Sequence, residues 1–309
     1  MQAPSIVRRP RRLRPGDRVL LVAPSGPASE ERIRHGEERC RALGLEPVVA
    51  PSARKQHGYF AGTDEERAAD LRAGFRDDSI AALWAVRGGY GAIRLLTRVD
   101  LEPLRRNPKA FIGFSDNTAI HLALNRAGMV SFLGPHAPED FPEVTDASFR
   151  KVLFEGDAPG LLPLPTNRPA PVPLAGGVAE GPLIGGNLTL LASACGTPFS
   201  LQTRGAIVLI EDVGDPIHHI DRHLTQLYLA GALDGAAGIA FGHFSNIEKT
   251  PNDRPIVDVL REWVEPLGIP AVFDLPFGHE PENWTLPLGA RARLDGNAGT
   301  LEILEPGVE

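Results

Sequence analysis

Short apolar runs alternate with stretches in which apolar residues recur every three or four positions, and this rhythm organises the first half of the chain. Runs at 19–23, 47–50, 81–86, 111–114 and 130–133 are aliphatic or β-branched and bounded by turn residues, which predicts buried strands. Helical spacing falls at 31–43, 64–75, 92–96 and 118–126. Strands that alternate with helices predict an α/β fold: a doubly wound, mostly parallel sheet with helices on both faces. The rhythm breaks where Pro159, Pro163, Pro165, Pro169, Pro171 and Pro173 crowd one segment, a stiff connector unsuited to helix or central strand. The expected division is an N-terminal domain over residues 1–168 and a second domain over 169–309. Elements resume at 188–194, 206–210, 219–229, 238–241, 256–264 and 271–273, and the chain closes with runs at 291–294 and 300–304 around Asp295-Gly296-Asn297, a hairpin signal.

The polar residues that end three of these strands carry the candidate chemistry. Gly113-Phe114-Ser115-Asp116 closes an apolar strand and opens a helical run at 119–124. A sharp strand-to-helix turn lifts a hydroxyl out of the sheet, and the free N–H groups of a helix start can stabilise an oxyanion, so Ser115 is a candidate nucleophile. The spelling is not Gly-x-Ser-x-Gly, because Asn117 takes the place of the second glycine, and a simple N-cap at Ser115 or Asp116 is the competing reading. Glu211-Asp212 ends the β-branched run 207–210, at the sheet edge where open α/β proteins place their sites. Side chains alternate along a strand, so only one of the two carboxylates can face a cleft there. His279 follows the apolar run 271–273 through Leu275-Pro276-Phe277-Gly278. A hydroxyl, an imidazole to take its proton and a carboxylate to orient the imidazole are what serine hydrolysis needs, although chain order alone does not show that they meet.

The sequence resembles the serine LD-carboxypeptidases, the family of the muramoyltetrapeptide carboxypeptidases and microcin C immunity proteins. The resemblance runs from Leu13-Arg14-Pro15-Gly16-Asp17-Arg18-Val19 and Ala23-Pro24-Ser25-Gly26 through Gly58-Tyr59-Phe60-Ala61-Gly62-Thr63-Asp64, with Arg67 and Asp70-Leu71, to Arg87-Gly88-Gly89-Tyr90-Gly91. It continues in Ile112-Gly113-Phe114-Ser115-Asp116, Gly185-Gly186-Asn187-Leu188, Glu211-Asp212-Val213 with Asp221-Arg222, Gly278-His279 and Pro287-Leu288-Gly289. It implies a mixed α/β second domain facing the first, Ser115 as nucleophile, Glu211 as triad acid and His279 as general base. It also implies an oxyanion hole from the N–H groups of Gly89 and Asp116, no metal or other cofactor, and a cytoplasmic homodimer. The implied reaction is hydrolysis of the amide to a terminal D-amino acid, D-alanine of a murein tetrapeptide, in cell-wall recycling. Two departures stand out: His136 after Gly134-Pro135, where an apolar residue is expected, and Asp215-Pro216-Ile217-His218, where an acidic and then an aromatic residue are usual.

Two alternatives differ in substrate or class. A microcin C immunity-type hydrolase would cleave a peptidyl-aminoacyl-sulfamoyl nucleotide with an aromatic loop on the nucleobase, but residues 157–177 contain no Trp, Tyr or Phe. A catalytically silent peptide-binding module on the same fold would not need Ser115, Glu211 and His279 together.

Composition narrows the partners. At 309 residues with 42% hydrophobic content the chain can build two cores. A net charge of −7 argues against a nucleic-acid surface, and the basic run Arg8-Arg9-Pro10-Arg11-Arg12-Leu13-Arg14 is one short arm. The apolar stretch behind that arm, 19–23, is too short for a signal-peptide core and is interrupted by Pro15-Gly16-Asp17, so it reads as the first strand. No segment approaches the ~20 apolar residues of a membrane span. Cys40 and Cys195 lie far apart and suit a reducing cytoplasm, and Cys195 in Ser193-Ala194-Cys195-Gly196 is expected as a buried packing residue rather than a cysteine nucleophile. The glycines of 87–91 lack phosphate-loop spacing and suit close backbone approach. His219 and His223, four apart beside His218 and Asp215, have a chelating spacing, but no Glu follows the first His and helix-surface histidines are expected. Trp84 is expected in the core, and Trp284 in a loop lining the substrate cleft.

Overall fold

The computed structural model describes residues 7–309. In the first half, strands β1 (Arg18–Val22), β2 (Glu46–Val49), β3 (Ile80–Ala85), β4 (Ala110–Gly113) and β5 (Ser131–Leu133) alternate with helices α1 (Glu30–Ala42), α2 (Asp64–Arg76), α3 (Thr118–Arg126) and α4 (Glu143–Leu153). The strands form a parallel sheet in the order β5-β4-β3-β1-β2. β3 and β4 are buried at every position, which is why each reads as an unbroken apolar run rather than an alternating one. Local caps start the helices: Ser29 accepts from the Arg32 N–H ahead of α1, and Thr63 with Glu66 forms a capping box ahead of α2.

The second half contributes β6 (Gly160–Leu161), β7 (Val172–Ala175), β8 (Val178–Asn187), β9 (Ile207–Val213), β10 (Gly238–Ser245), β11 (Ala271–Phe273), β12 (Leu286–Leu288), β13 (Arg291–Asp295) and β14 (Thr300–Ile303). Its helices are α5 (Leu188–Ser193), α6 (Ile217–Leu229) and α7 (Ile256–Val264). A mixed sheet runs β6-β14-β13-β8-β9-β10-β11-β7, with β8 to β11 parallel and the flanking strands antiparallel. Both sheets direct the C-terminal ends of their parallel strands, and hence Ser115 and Glu211, towards loops that meet.

Several elements differ from the pattern that periodicity predicts. Residues 92–95 form a 3₁₀ turn rather than an α-helix, entered by Gly91 at φ 125°. β8 is missing from the periodicity because Gly181, Pro182, Gly185 and Gly186 look like strand breakers. The glycines serve close packing: a Cβ on Gly185 would lie 2.1 Å from the Leu209 carbonyl oxygen, and one on Gly186 would lie 2.4 Å from Thr118 Oγ1. α4 is a further element that the periodicity does not predict. The sheets also divide the chain differently from a cut at 168/169. β6, upstream of that cut, pairs with β14 in the second sheet, whereas β12 returns to pair antiparallel with β5 at the edge of the first. The prolines of the connector fit this arrangement, since β6 and β7 are the two edge strands and Pro173 sits in β7, where a missing N–H is tolerated.

Trp84 is fully buried and donates its indole N–H to the Pro135 carbonyl. Trp284 departs from the expected place in the cleft: it is buried too, and donates to the Pro163 carbonyl, because an indole inside a core needs one acceptor for its single N–H. Cys40 is buried and free, Cys195 partly buried and free. Within the basic run, Arg9 pairs with Glu305 and Arg11 with Asp17, so part of its charge is neutralised inside the molecule. No helix among the described residues is long and apolar enough to cross a membrane.

Candidate active site

β4 ends at Gly113, Phe114 is extended, and Ser115 turns into the left-handed region at φ 61° before a 3₁₀ turn leads into α3. A non-glycine residue held there stores strain, and such strain clusters at functional turns. The turn is held from several sides. Asn117 Nδ2 lies 3.0 Å from the Phe114 carbonyl, 3.3 Å from the Arg87 carbonyl and 3.2 Å from His136 Nε2. His136, one of the two unusual residues, is anchored in turn by Glu139 Oε1 at 2.8 Å from Nδ1, and its ring packs 4.3 Å from that of Phe114. Asp116 is buried, and its carboxylate accepts the Ala92 N–H at 2.8 Å; burial pushes its pKa up. Gly88 abuts the serine, since a Cβ there would meet Ser115 Cβ at 2.8 Å and Oγ at 2.9 Å. Gly89 follows at φ 115°, packed against Gly26.

The two adjacent carboxylates separate as strand alternation requires. Glu211 is fully buried and its Oε2 lies 2.7 Å from His279 Nδ1, which fixes the tautomer with Nε2 free when the ring is neutral. Gly278 makes this approach possible: its φ is 122°, and a Cβ there would crowd Glu211 Oε2 at 3.1 Å. Asp212 faces the start of α5, where it accepts from Asn187 Nδ2 at 2.9 Å, from the Thr189 N–H at 3.0 Å and from Thr189 Oγ1 at 2.9 Å. The His279 ring packs 4.7 Å from that of Phe114, the residue before Ser115. The structure therefore brings the His279–Glu211 pair to the serine turn, and no direct Ser115–His279 hydrogen bond is present among the described residues. Such contacts are commonly long before substrate binds. Asn117 and Gly278 support the site in ways their place in the motifs does not reveal: Asn117 ties the serine turn to Phe114, Arg87 and His136, and Gly278 leaves room for Glu211.

Burial disfavours a charged His279, but the Glu211 charge and hydrogen bond, helped by Asp212 and Glu139, outweigh it and raise the pKa above the ordinary value. A base must be neutral to take a proton, so activity should be lost as pH falls through that raised pKa. The acid limb of kcat/KM is therefore expected above the ordinary histidine value of about 6.5. In Glu211→Gln the attraction vanishes while burial stays, and the limb should move to lower pH. A pH–rate profile checks both, and an acid limb below about 6.5 in the wild type contradicts the assignment.

The histidine cluster sits on the first turns of α6. His219 Nδ1 is 3.5 Å from Asp215 Oδ1, and His223 Nδ1 is 3.9 Å from Asp215 Oδ2. Ligand atoms of Asp212, Asp215 and His223 lie within 4.8 Å of one another, but both Asp212 oxygens are already taken by N–H and O–H donors, which leaves them poor metal ligands. His218 stands apart from that group, its ring 4.6 Å from that of His219.

Fold and site have counterparts among known proteins. The LD-carboxypeptidase N-terminal domain model matches residues 19–134, and the LD-carboxypeptidase C-terminal domain model matches residues 180–294. A Bacillus subtilis protein named probable murein peptide carboxypeptidase is 35% identical over 97% of this chain and 95% of its own length. The murein tetrapeptide carboxypeptidase of Pseudomonas aeruginosa is 30% identical over 91% of this chain and 94% of its own. Among solved structures, the muramoyltetrapeptide carboxypeptidase of Oxalobacter formigenes superposes with a TM-score of 0.81 at 30% identity, covering 94% of this chain and 99% of that one. The microcin C7 self immunity protein MccF in complex with aspartyl sulfamoyl adenosine superposes with a TM-score of 0.89 at 26% identity, covering 98% and 100%. The chain belongs to the LD-carboxypeptidase family, the class of serine-type carboxypeptidases that its two-sheet fold also defines.

Proposed function

We propose that this enzyme removes the terminal D-alanine of a murein tetrapeptide, acting in the cytoplasm as a homodimer in cell-wall peptide recycling. The observation that carries the reading is the buried Glu211 held 2.7 Å from His279 Nδ1, with His279 packed on the residue that precedes the strained Ser115. Ser115 attacks the carbonyl of the L-centre. His279 takes the hydroxyl proton and returns it to the departing D-amine, while Glu211 stabilises the imidazolium between the two transfers. The N–H groups of Asp116 and Gly89 hold the oxyanion. Water then attacks the acyl-enzyme by the same route in reverse. Relatives named for murein peptides support the substrate class.

A nucleotide conjugate of the kind in the MccF complex is the second reading, favoured by the high superposition. Against it, the connector from 157 to 177 offers no aromatic ring to stack a base. The test is mass spectrometry of a murein tetrapeptide incubated with the pure protein and excess chelator. Loss of one alanine is expected. An intact peptide alongside a cleaved peptidyl-aminoacyl-sulfamoyl nucleotide would transfer the assignment to the second reading. Activity that appears only when zinc is restored would replace the triad with a metal mechanism.

A further inference from the structure

A carboxypeptidase must recognise the free carboxylate of its substrate, and bond lengths restrict where that happens. Only the N and Cα atoms of the leaving residue separate the carboxylate carbon from the scissile carbonyl carbon, so the two carbons lie within about 4 Å of each other. The reader of that charge must adjoin the nucleophile and the oxyanion site.

Arg87 occupies such a place. It directly precedes Gly88, where a Cβ would meet Ser115 Oγ at 2.9 Å, and its guanidinium lies along two further glycines: a Cβ on Gly26 would lie 3.3 Å from Arg87 Nε, and one on Gly89 would lie 3.7 Å from Nη2. Two donors are engaged, Nη1 to the Pro27 carbonyl at 2.7 Å and Nε to the Gly88 carbonyl at 3.3 Å. Both acceptors are neutral. The Nη2 donors have no acceptor among the described residues, and Arg87 forms no ion pair there. Other guanidinium groups of the first domain are paired: Arg32, the charged neighbour of Arg87, with Glu139 at 3.4 Å, and Arg67 and Arg94 with Asp64 at 2.7 and 2.8 Å.

A half-buried cation without a counter-charge is unfavourable, and both burial and the neighbouring Arg32 work against its protonated form. Fixed by two backbone carbonyls, it presents its remaining face as a rigid fork suited to a planar carboxylate. We infer that Arg87 binds the terminal carboxylate of the substrate and so restricts the enzyme to the last peptide bond. This rests on the carboxypeptidase reading. An internal residue would offer a neutral amide instead and leave the desolvated guanidinium unpaired, which is how the site discriminates against endopeptidase cleavage.

The experiment compares kcat/KM for a murein tetrapeptide with its free D-alanine carboxylate and for the same peptide ending in D-alaninamide, using the full chain. Wild type is expected to prefer the acid by roughly 10- to 100-fold, the range for a hydrogen bond between charged groups. Arg87→Gln should abolish most of that preference: the acid loses about as much, mainly through KM, and the loss on the amide is at least tenfold smaller. Arg87→Lys keeps the charge without the fork and should restore part of the preference; it also serves as the informative variant if Arg87→Gln does not fold. Equal losses on both substrates would show that Arg87 only supports Pro27 and Gly88, and would overturn the inference alone. Cleavage of neither substrate by wild type would overturn the carboxypeptidase reading and the inference together.

Discussion

Replacing Ser115 by alanine is expected to reduce turnover of the tetrapeptide by several orders of magnitude, up to about 10⁶-fold, with the fold intact. The size follows from the role. The hydroxyl is the only group that forms the acyl-enzyme, so its loss removes the covalent route and leaves whatever the oxyanion donors achieve with water. Stability should move little, because Ser115 Oγ makes no hydrogen bond among the described residues and alanine at φ 61° carries the same strain as serine. Ser115→Gly sharpens the test. Glycine relieves the left-handed strain, about 1–2 kcal/mol, against a smaller cost of about 0.4–1 kcal/mol in unfolded-chain entropy. That variant should be equally inactive yet melt no lower than wild type. Turnover within tenfold of wild type in either variant, measured beside a melting curve, removes Ser115 from the mechanism.

The second large effect separates two neighbouring acids. Glu211→Gln should lower kcat by about 10⁴-fold, as the loss of a triad carboxylate does, with KM changing far less. What disappears is stabilisation of an imidazolium that exists only in the transition state, not affinity for the ground state. Asp212→Asn should act on stability instead. Its carboxylate gathers Asn187, the Thr189 N–H and hydroxyl, and the Val213 N–H, so it ties the start of α5 to the end of β9. An amide can satisfy only part of that set, which is expected to cost about 1–3 kcal/mol of stability while kcat changes less than tenfold. Steady-state kinetics and denaturant unfolding on the two variants decide the matter: if Asp212→Asn lost as much turnover as Glu211→Gln, the triad acid would be Asp212.

Local features are legible in the linear pattern. The apolar runs at 81–86 and 111–114 announce strands buried on both faces, because a strand inside a parallel sheet has no solvent side to mark with polar residues. The helix at 118–126 is readable from its own spacing. The strand-turn-helix at Ser115 is readable as well, since a turn is set by a few adjacent residues. β8 is not. Its glycines obey contacts with Leu209 and Thr118, distant in sequence, rather than any local preference. β12 is hidden for the same reason: three residues at 286–288 take their partner at 131–133, with strands β6 to β11 of the second sheet lying between them in sequence.

The sequence by itself determined that Ser115, one of Glu211 and Asp212, and His279 would each follow an apolar strand, because strands and their alternation are written in neighbouring side chains. Which carboxylate reaches the imidazole was left to the tertiary structure, where Gly278 lets the histidine loop close on Glu211 and the α5 N-terminus claims Asp212. The same holds for His136, an anomaly in the linear pattern that becomes intelligible as a ring packed on Phe114 and joined to Asn117. It holds for Arg87 too, whose lack of a carboxylate partner is a property of what surrounds it. Periodicity reports which way a side chain points relative to its own backbone; what it meets there depends on segments tens or hundreds of residues away, and only packing brings those together.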